Sequence, residues 1–300
     1  MISPKYLKKN DKVAIICMAG KTTLESIRSA IKILEEWGLE VIVGESVGAE
    51  DGVFGGNDAL RKNDFQQYLD DVNISAIFSA RGGYGSTRFL DKINWEIFRQ
   101  NPKWVCGFSD ITAVISTING LGIEAIHGSM PKLFDIKGGK KALYLLKKAL
   151  FGEKLKYKYP GNFANKTGRI KAEIVGGNLC ILAHCIGSKS ELESDGKILF
   201  LEDVSEYYYN IDRMLLQLKR AGKLDNLAGL IIGHFTDCKD NDNPFGQTVQ
   251  EIVAHHTQEY NYPVAYGFPV GHEPDNWPII CGRKTELVVG KEELHLSFDK

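Results

Sequence analysis

Short apolar runs alternate with amphipathic segments along the first half of the chain, and this alternation limits the fold more than any other feature. The apolar runs have the length and content of buried strands and lie at 12–18, 41–43, 74–79 and 103–107. The segments between them repeat apolar residues at helical spacing, with Gly38 as one stop signal and Asn57 as one candidate N-cap. The pattern predicts an α/β fold, with helices covering a parallel sheet.

A second α/β series follows a stretch rich in Lys, Gly and Asn. Its predicted strands lie at 170–175, 197–201 and 227–232, its helices at 179–186, 209–221 and 248–256, and a turn at 176–178. The alternating tail at 285–298 predicts a hairpin that turns at Gly290 and Lys291. Three hundred residues exceed one average domain. We therefore expect an N-terminal domain at 1–150, a linker at 151–168 and a smaller C-terminal domain at 169–300.

The charge and the cysteines exclude several classes of function. The formal net charge is −1 and no basic block occurs, so little would attract a nucleic-acid backbone or an anionic membrane. The six cysteines are scattered without a C-x-x-C pair, which favours a reducing compartment. The histidines show no H-E-x-x-H or H-x-x-x-H spacing either. We expect no metal and no cofactor.

The amino-terminal segment argues against export. Polar Asn10 and Asp11 stand where a signal peptide needs its apolar region, and no uninterrupted run approaches the ~20 apolar residues of a membrane span. The sequence predicts a cytoplasmic protein.

Ser109 lies where a predicted strand gives way to a predicted helix, in the segment GFSDITAV. A sharp strand-to-helix turn exposes a serine hydroxyl and points nearby amides at a substrate, as in the nucleophile turn of hydrolases. The second glycine of G-x-S-x-G is missing here. A plain alternative is that Ser109 or Asp110 only caps the following helix.

A glycine-rich turn, Gly82 to Gly85, follows the predicted strand 74–79 directly. It does not match G-x-G-x-x-G, so dinucleotide binding is disfavoured. Ligands of open parallel sheets bind beyond the carboxyl ends of the strands, so this turn and Ser109 are expected to be neighbours. The amides of Gly83 and Asp110 could then form an oxyanion hole. The alternative is a tight turn that needs positive φ at one or more glycines.

A carboxylate and a histidine complete a possible triad. Glu202 ends an apolar run, although Asp203 and Glu206 close by leave open which acid acts. His272 differs from the other histidines because Pro269 and Gly271 precede it in a rigid loop. A carboxylate can orient such an imidazole and stabilise its charged form.

Six segments together resemble the LD-carboxypeptidases, a family of serine peptidases that includes the microcin C immunity peptidases. They are ARGGYGSTRFLD, GFSDITAV, HGSM, GGNLCILAHCIGS, LFLEDVSEYYYNIDRML and FPVGH, which occur in the family's order from about Lys12 to Leu287. The resemblance implies a flavodoxin-like or amidotransferase-like parallel-sheet domain that carries Ser109 as nucleophile. It also implies a smaller C-terminal α/β domain with Glu202 as orienting acid and His272 as general base.

The resemblance further implies a substrate and an assembly. Family members cut an L-to-D bond in peptidoglycan stem tetrapeptides and release the terminal D-alanine, and they are commonly homodimers. Recognition of the free carboxylate is expected from Arg81 or Arg88, with Tyr84 as a further substrate contact, although Arg81 could instead anchor its loop. The segment CMAGK after the first strand and the segment 273–276 after the base depart from the family pattern.

Two other functions stay open at this point. An immunity-type peptidase would cleave an aminoacyl-nucleotide conjugate and would need an aromatic platform, for which Trp277 or the run Tyr207 to Tyr209 qualifies unless it packs in the core. A non-catalytic binding protein on the same scaffold is the third reading, because a fold alone does not define a function.

Overall fold

The computed structural model describes residues 1–299. Its first sheet has six strands in the order β2-β1-β3-β4-β5-β11. These strands are β1 (Lys12–Ile16), β2 (Glu40–Val43), β3 (Ile74–Ser79), β4 (Trp104–Gly107), β5 (Ala125–His127) and β11 (Ile279–Cys281). The five amino-terminal strands pair in parallel, in the order of a flavodoxin-like sheet. The predicted α/β fold is confirmed.

The second sheet has seven strands in the order β10-β9-β8-β7-β12-β13-β6. They are β6 (Lys156–Pro160), β7 (Gly168–Asn178), β8 (Ile198–Val204), β9 (Gly229–Thr236), β10 (Val264–Tyr266), β12 (Lys284–Val289) and β13 (Glu293–Phe298). The strands from β7 to β10 pair in parallel, whereas β12, β13 and β6 are antiparallel. The predicted tail hairpin is confirmed, since Val289 pairs with Leu294 across its turn.

The helices lie between the strands as the apolar spacing predicts. They are α1 (Arg28–Glu36), α2 (Asp58–Asp70), α3 (Thr87–Leu90), α4 (Glu96–Gln100), α5 (Thr112–Gly120), α6 (Lys140–Leu150), α7 (Leu179–Cys185), α8 (Tyr208–Arg220) and α9 (Val249–Thr257). Asn57 caps α2 as predicted, because its side chain accepts a hydrogen bond from the Leu60 amide. Among the helices of residues 1–299, none combines the length and the apolar character that crossing a membrane requires.

Two local predictions are wrong. Gly176, Gly177 and Asn178 do not form a turn but are the last residues of β7. A Cβ at Gly176 would lie 2.0 Å from the carbonyl oxygen of Phe200, so the glycine is needed for close approach of β8 rather than for chain reversal. Residues 156–160, inside the stretch predicted as an irregular linker, form the edge strand β6. The division of the chain into two domains itself stays a prediction.

One of the two hydrophobic clusters spans both sheets, and this positions the site. Buried residues of the second sheet, such as Phe200 and Ile231, pack in the same cluster as the strands of the first sheet. Thr112 at the start of α5 accepts a hydrogen bond from the Asn178 amide at 3.1 Å. In addition, β11 returns from the second half of the chain and pairs with β5. The carboxyl ends of β4 and β8 are therefore brought near each other.

Candidate active site

The chain turns sharply between β4 and α5, as predicted for a nucleophile turn. Phe108 is extended, Ser109 has a φ of +63° and begins a 3₁₀ turn, and α5 follows. A positive φ is unusual for any residue except glycine and is one of the strained conformations that occur at functional sites. A Cβ at Gly107 would lie 2.9 Å from the Ile111 side chain, so the turn is tight on both sides of Ser109.

The helix-capping alternative is wrong for these residues. Neither the 3₁₀ turn nor α5 has a side-chain hydrogen bond at its cap. The Asp110 carboxylate instead accepts from the Ser86 amide at 2.9 Å, and the Ser86 hydroxyl donates to the Asp110 carbonyl at 3.0 Å. Burial raises the pKa of Asp110, while these hydrogen bonds oppose the rise. Asp110 therefore ties the serine turn to the segment that follows the glycine-rich turn.

The glycine-rich turn lies directly against Ser109, as expected. A Cβ at Gly82 would lie 2.9 Å from the Ser109 Cβ and 3.1 Å from its Oγ. Gly83 and Gly85 have φ values of +113° and +124°, so the expectation of positive φ in this turn is confirmed. Within residues 1–299, the amides of Gly83 and Asp110 donate no hydrogen bond. Both amides are thus free to act on a bound group.

Sequence reasoning missed Arg61, which holds the glycine-rich turn in place. Its side chain is fully buried, and Nη1 donates to the carbonyls of Gly85 at 2.8 Å and Met18 at 3.1 Å. Burial lowers the pKa of Arg61, and the negative charge of Asp58 opposes this shift. An arginine among the polar residues of α2 looks solvent-exposed in sequence. Only the two loops that fold over it reveal its role.

Glu202 and His272 form the central pair of the site. Glu202 lies in β8 with no exposed side-chain surface, and its Oε2 accepts from His272 Nδ1 at 2.7 Å. Burial lowers the pKa of His272, but the hydrogen bond and charge of Glu202 outweigh burial and raise it above its ordinary value. With Nδ1 engaged, Nε2 is the ring atom left to exchange a proton.

The structure distinguishes Glu202 from the two other candidate acids. Asp203 accepts from Asn178 Nδ2 at 2.8 Å and from the Cys180 amide at 2.9 Å, and burial raises its pKa to about 6. Glu206 accepts from Asn210 at 2.6 Å. Of the three acids, Glu202 is therefore the one that contacts His272.

The turn that carries Ser109 contacts this pair through the neighbouring residue, Phe108. The ring centroids of Phe108 and His272 are 4.9 Å apart, so the serine turn packs against the imidazole. Ser109 itself makes no hydrogen bond to His272 within the described part of the chain. In enzymes without substrate such bonds are often long and tighten when substrate binds.

The residues predicted to bind substrate lie around the glycine-rich turn. They differ in whether their side chains are exposed or already bonded to other residues. Arg81 Nη1 donates to the Lys21 carbonyl at 3.2 Å, which is the anchoring alternative considered for it. Arg88 Nε donates to both oxygens of Asp58, at 2.9 and 3.0 Å. Tyr84 is 53% exposed and lies against the ring of Phe54.

The two aromatic platforms considered for a nucleobase differ in accessibility. Trp277 is 2% exposed, packs on Tyr157 and donates from Nε1 to Asp275, so its platform role is wrong and the core alternative holds. Tyr207 and Tyr209 are 40% and 37% exposed, with ring centroids 5.7 Å apart.

A serine turn beside free amides and a carboxylate–histidine pair, all at the ends of strands in an α/β fold, is the arrangement typical of a serine hydrolase. Two family models match the chain, the LD-carboxypeptidase N-terminal domain over residues 13–128 and the LD-carboxypeptidase C-terminal domain over residues 171–287. The chain belongs to the LD-carboxypeptidase family, which makes it a serine-type carboxypeptidase.

Individual relatives agree with this family. A probable murein peptide carboxypeptidase of Bacillus subtilis is 32% identical over 293 residues, which cover 95% of this chain and 91% of that protein. The crystal structure of muramoyltetrapeptide carboxypeptidase from Oxalobacter formigenes has a TM-score of 0.87 at 26% identity and covers 96% of this chain and 99% of that chain. The microcin C7 self-immunity protein MccF has a TM-score of 0.88 at 19% identity, with 99% and 98% coverage, and shares the fold.

Proposed function

We propose that this protein is a muropeptide carboxypeptidase that releases the terminal D-alanine from peptidoglycan stem tetrapeptides by cutting an L-to-D bond. The observation that carries the proposal is the hydrogen bond between Glu202 and His272, 2.7 Å long, beside the strained turn of Ser109. The names of the Bacillus and Oxalobacter relatives support the substrate class. The proposed roles are nucleophile for Ser109, general base for His272 and orienting acid for Glu202.

The first chemical step joins Ser109 to the substrate. His272 Nε2 takes the hydroxyl proton as Ser109 Oγ attacks the carbonyl carbon before the terminal D-residue. The imidazole becomes positively charged in this step. The adjacent carboxylate of Glu202, which already raises the pKa of His272, stabilises that charge.

The negative charge that develops on the carbonyl oxygen during this attack needs hydrogen-bond donors close to that oxygen. We assign this role to the amides of Gly83 and Asp110, which have no other acceptor among residues 1–299. One such donor contributes on the order of 3 kcal/mol to stabilising the transition state. The hydrogen bonds of Asp110 to Ser86 keep its amide and the glycine-rich turn in a fixed relation.

The second half of the reaction releases both products. His272 returns its proton to the amine of the leaving D-alanine, and the C–N bond breaks to give an acyl-enzyme on Ser109. Water, deprotonated by His272, then attacks the acyl carbon. The bond to Ser109 Oγ breaks, and the serine regains its proton from the imidazolium.

A carboxypeptidase must also recognise a free carboxylate, and Arg81 is our candidate for this role. Arg88 already places its Nε on both oxygens of Asp58. Arg81 uses one nitrogen for the Lys21 carbonyl, which orients the guanidinium beside the glycine-rich turn without neutralising it. A guanidinium in this position suits a carboxylate with bidentate geometry.

The immunity-type activity is the alternative within the same chemistry. Its support here is the exposed pair Tyr207 and Tyr209, since the likeness to MccF concerns the fold alone. Both activities require Ser109, so the substrate separates them. The binding-protein reading lacks support because the matched family is a peptidase family.

The decisive test offers purified protein both substrate classes. Stem tetrapeptides with lysine, ornithine or diaminopimelate as third residue are compared with an aminoacyl-sulfamoyl-adenosine, and products are identified by mass spectrometry. Release of D-alanine from the stem peptides alone supports the proposal, and cleavage of the nucleotide conjugate alone rejects it. The homodimer implied by the family and the cytoplasmic location predicted from the sequence stay predictions, and light scattering after gel filtration tests the first.

A further inference from the structure

The loop that carries His272 is closed by one side chain, Asn276. Its Oδ1 accepts a hydrogen bond from the amide of Gly271 at 2.9 Å, across five positions of the chain. Asn276 is 2% exposed, so this bond is shielded from water. The residue immediately before His272 is thus bonded to the end of the same loop.

The orientation of the Asn276 amide follows from its partner. The Gly271 N–H can only donate, so the oxygen of Asn276 must face it and Nδ2 must point elsewhere. Nδ2 is buried without a hydrogen-bond partner in the part of the chain that is described, and so is Oε1 of Glu202. Among the described residues, Asn276 thus keeps an unpaired buried donor and Glu202 an unpaired buried acceptor.

Gly271 is the point at which this loop meets Glu202. It has a φ of +127°, and a Cβ there would lie 2.9 Å from the Glu202 Cβ and 3.0 Å from its Oε2. The loop backbone thus passes over the carboxylate with no room for a side chain. Any rotation about Gly271 would move the next residue, His272, away from both Glu202 and the ring of Phe108.

We propose that Asn276 is a positioning residue for the general base. Its carbonyl oxygen fixes the backbone of Gly271, and this holds the imidazole of His272 on Glu202 and toward Ser109. In sequence, the segment 273–276 stands out only as a departure from the family pattern. The geometry points to a role in the chemical step for its last residue. This inference rests on the proposed function, because it presumes that His272 is the base.

Charged and titratable groups surround His272 on several elements, and they matter for the pH profiles of the variants. Glu202 and Asp203 face it from β8 and raise its pKa, and His127 lies near it at the end of β5. Burial lowers the pKa of His127 to about 3, so this ring is neutral in the working range. On β9 and the loop itself, His234 lies among the charges of Glu202, Glu273 and Asp275.

Two substitutions separate positioning from simple packing. Asn276→Ala removes the acceptor of Gly271, and we expect kcat to fall about 10- to 100-fold with KM changed less than about threefold, as for a small misplacement of a catalytic group. Asn276→Asp keeps an acceptor for Gly271 and adds negative charge beside Glu202. It should recover most of kcat at high pH and move the acid limb of kcat/KM upward by about one pH unit.

Asn165 offers a matched control. It is 1% exposed, and its Oδ1 accepts from the Tyr266 amide at 2.9 Å, the same kind of bond at the same length. Its Nδ2 also donates to the Gly290 carbonyl at 2.8 Å, so Asn165→Ala should lower the midpoint of thermal unfolding at least as much as Asn276→Ala while leaving kcat within about twofold of wild type. The assay measures D-alanine release from a stem tetrapeptide with lysine at the third position, and His272→Ala is measured beside it.

The outcomes distinguish this inference from the function it rests on. Loss of kcat in Asn276→Ala, recovery in Asn276→Asp and normal turnover in Asn165→Ala support the inference. A wild-type kcat for Asn276→Ala, beside an inactive His272→Ala, overturns the inference and leaves the function standing. Full activity of His272→Ala overturns both. If Asn276→Ala does not fold, Asn276→Asp decides, and a kcat that stays far below wild type at high pH in the folded variant rejects the proposed role.

Discussion

Oε2 of Glu202 lies 2.7 Å from Nδ1 of His272, although the two residues are 70 positions apart in the chain. The carboxylate has no exposed surface, and within the described residues the imidazole of His272 is its hydrogen-bond partner. A buried charge that loses its partner is strongly destabilising, which makes each of these residues dependent on the other. The pair links the end of β8 to the loop that follows β10.

Removing the charge of Glu202 should change both the rate and its pH dependence. In Glu202→Gln the amide cannot stabilise the imidazolium, so kcat should fall about 10²- to 10⁴-fold, the effect expected when an imidazole loses its orienting carboxylate. Because Glu202 raises the pKa of His272, the acid limb of kcat/KM should move to lower pH. The pH profile of D-alanine release measures both effects, and an acid limb at wild-type pH would contradict this assignment.

The strained backbone of Ser109 predicts an opposition between activity and stability. Ser109→Gly removes the hydroxyl and adopts the observed φ of +63° without strain. We expect no detectable turnover and a free energy of unfolding that is about 1 kcal/mol higher than that of wild type. Ser109→Ala is the control, because it is equally inactive but keeps the strain. Chemical denaturation compares the free energies of unfolding of the three proteins. A glycine variant less stable than the alanine variant would contradict the claim that the backbone at Ser109 is strained.

Arg61 should be needed for both the fold and the site. Arg61→Met leaves the carbonyls of Gly85 and Met18 buried without their donor, and we expect the free energy of unfolding to fall by about 3 kcal/mol. The glycine-rich turn also loses its anchor, so kcat should fall in the protein that remains folded. Arg88→Met, which alters a more exposed arginine bonded to the same Asp58, should change stability by less than about 1 kcal/mol.

Recognition of the terminal carboxylate can be assigned by changing the substrate and the enzyme together. Wild type should cleave a tetrapeptide amide much more slowly than the free acid, because the amide cannot pair with a guanidinium. In Arg81→Ala this preference should shrink about tenfold or more through a higher KM for the acid. Arg88→Ala should keep the preference, since its guanidinium is already bonded to Asp58. An unchanged preference in Arg81→Ala would remove Arg81 from this role.

Asp203 predicts a slope in stability against pH. Burial raises its pKa from 3.8 in the unfolded chain to about 6 in the folded protein, so the folded state binds this proton more tightly. Its contribution to stability is therefore full below about pH 4 and declines as the pH rises to 6, by about 3 kcal/mol in total. Asp203→Asn should remove this slope whatever its effect on overall stability. Urea denaturation from pH 4 to 7 checks it, and an identical slope in the variant would contradict the prediction.

Much of the fold could be predicted because its strands, helix caps and turns are set by residues close together in the sequence. The strand 74–79, the cap at Asn57 and the tail hairpin follow from residues next to one another in sequence. Gly176 could not be read correctly, because the reason for this glycine is the carbonyl of Phe200 on the neighbouring strand. The same holds for β6. Its segment KYKYP alternates lysine with tyrosine, but it lies within a stretch rich in Lys, Gly and Asn, and its pairing depends on β13 at the far end of the chain.

The site likewise has a part that the sequence predicts and a part that depends on contacts between distant segments. The strand-to-helix turn at Ser109 is a local pattern, and the structure has a tight turn there with positive φ. Which acid contacts His272 depends on how β8 and the 271–276 loop meet, so the residues alone left Glu202, Asp203 and Glu206 open, and only the family resemblance favoured Glu202. Arg61 acts through backbone groups of other segments, and Asn276 through the amide of Gly271 five positions earlier; neither contact leaves a spacing signal in a single sequence.

The most direct test of the proposed function measures D-alanine release from purified stem tetrapeptides by mass spectrometry, for wild type and Ser109→Ala, with an all-L peptide as control. We expect release by wild type alone and from the D-terminated peptides alone. Equal release by Ser109→Ala, or no release from any stem peptide by a folded wild-type protein, would contradict the proposed function.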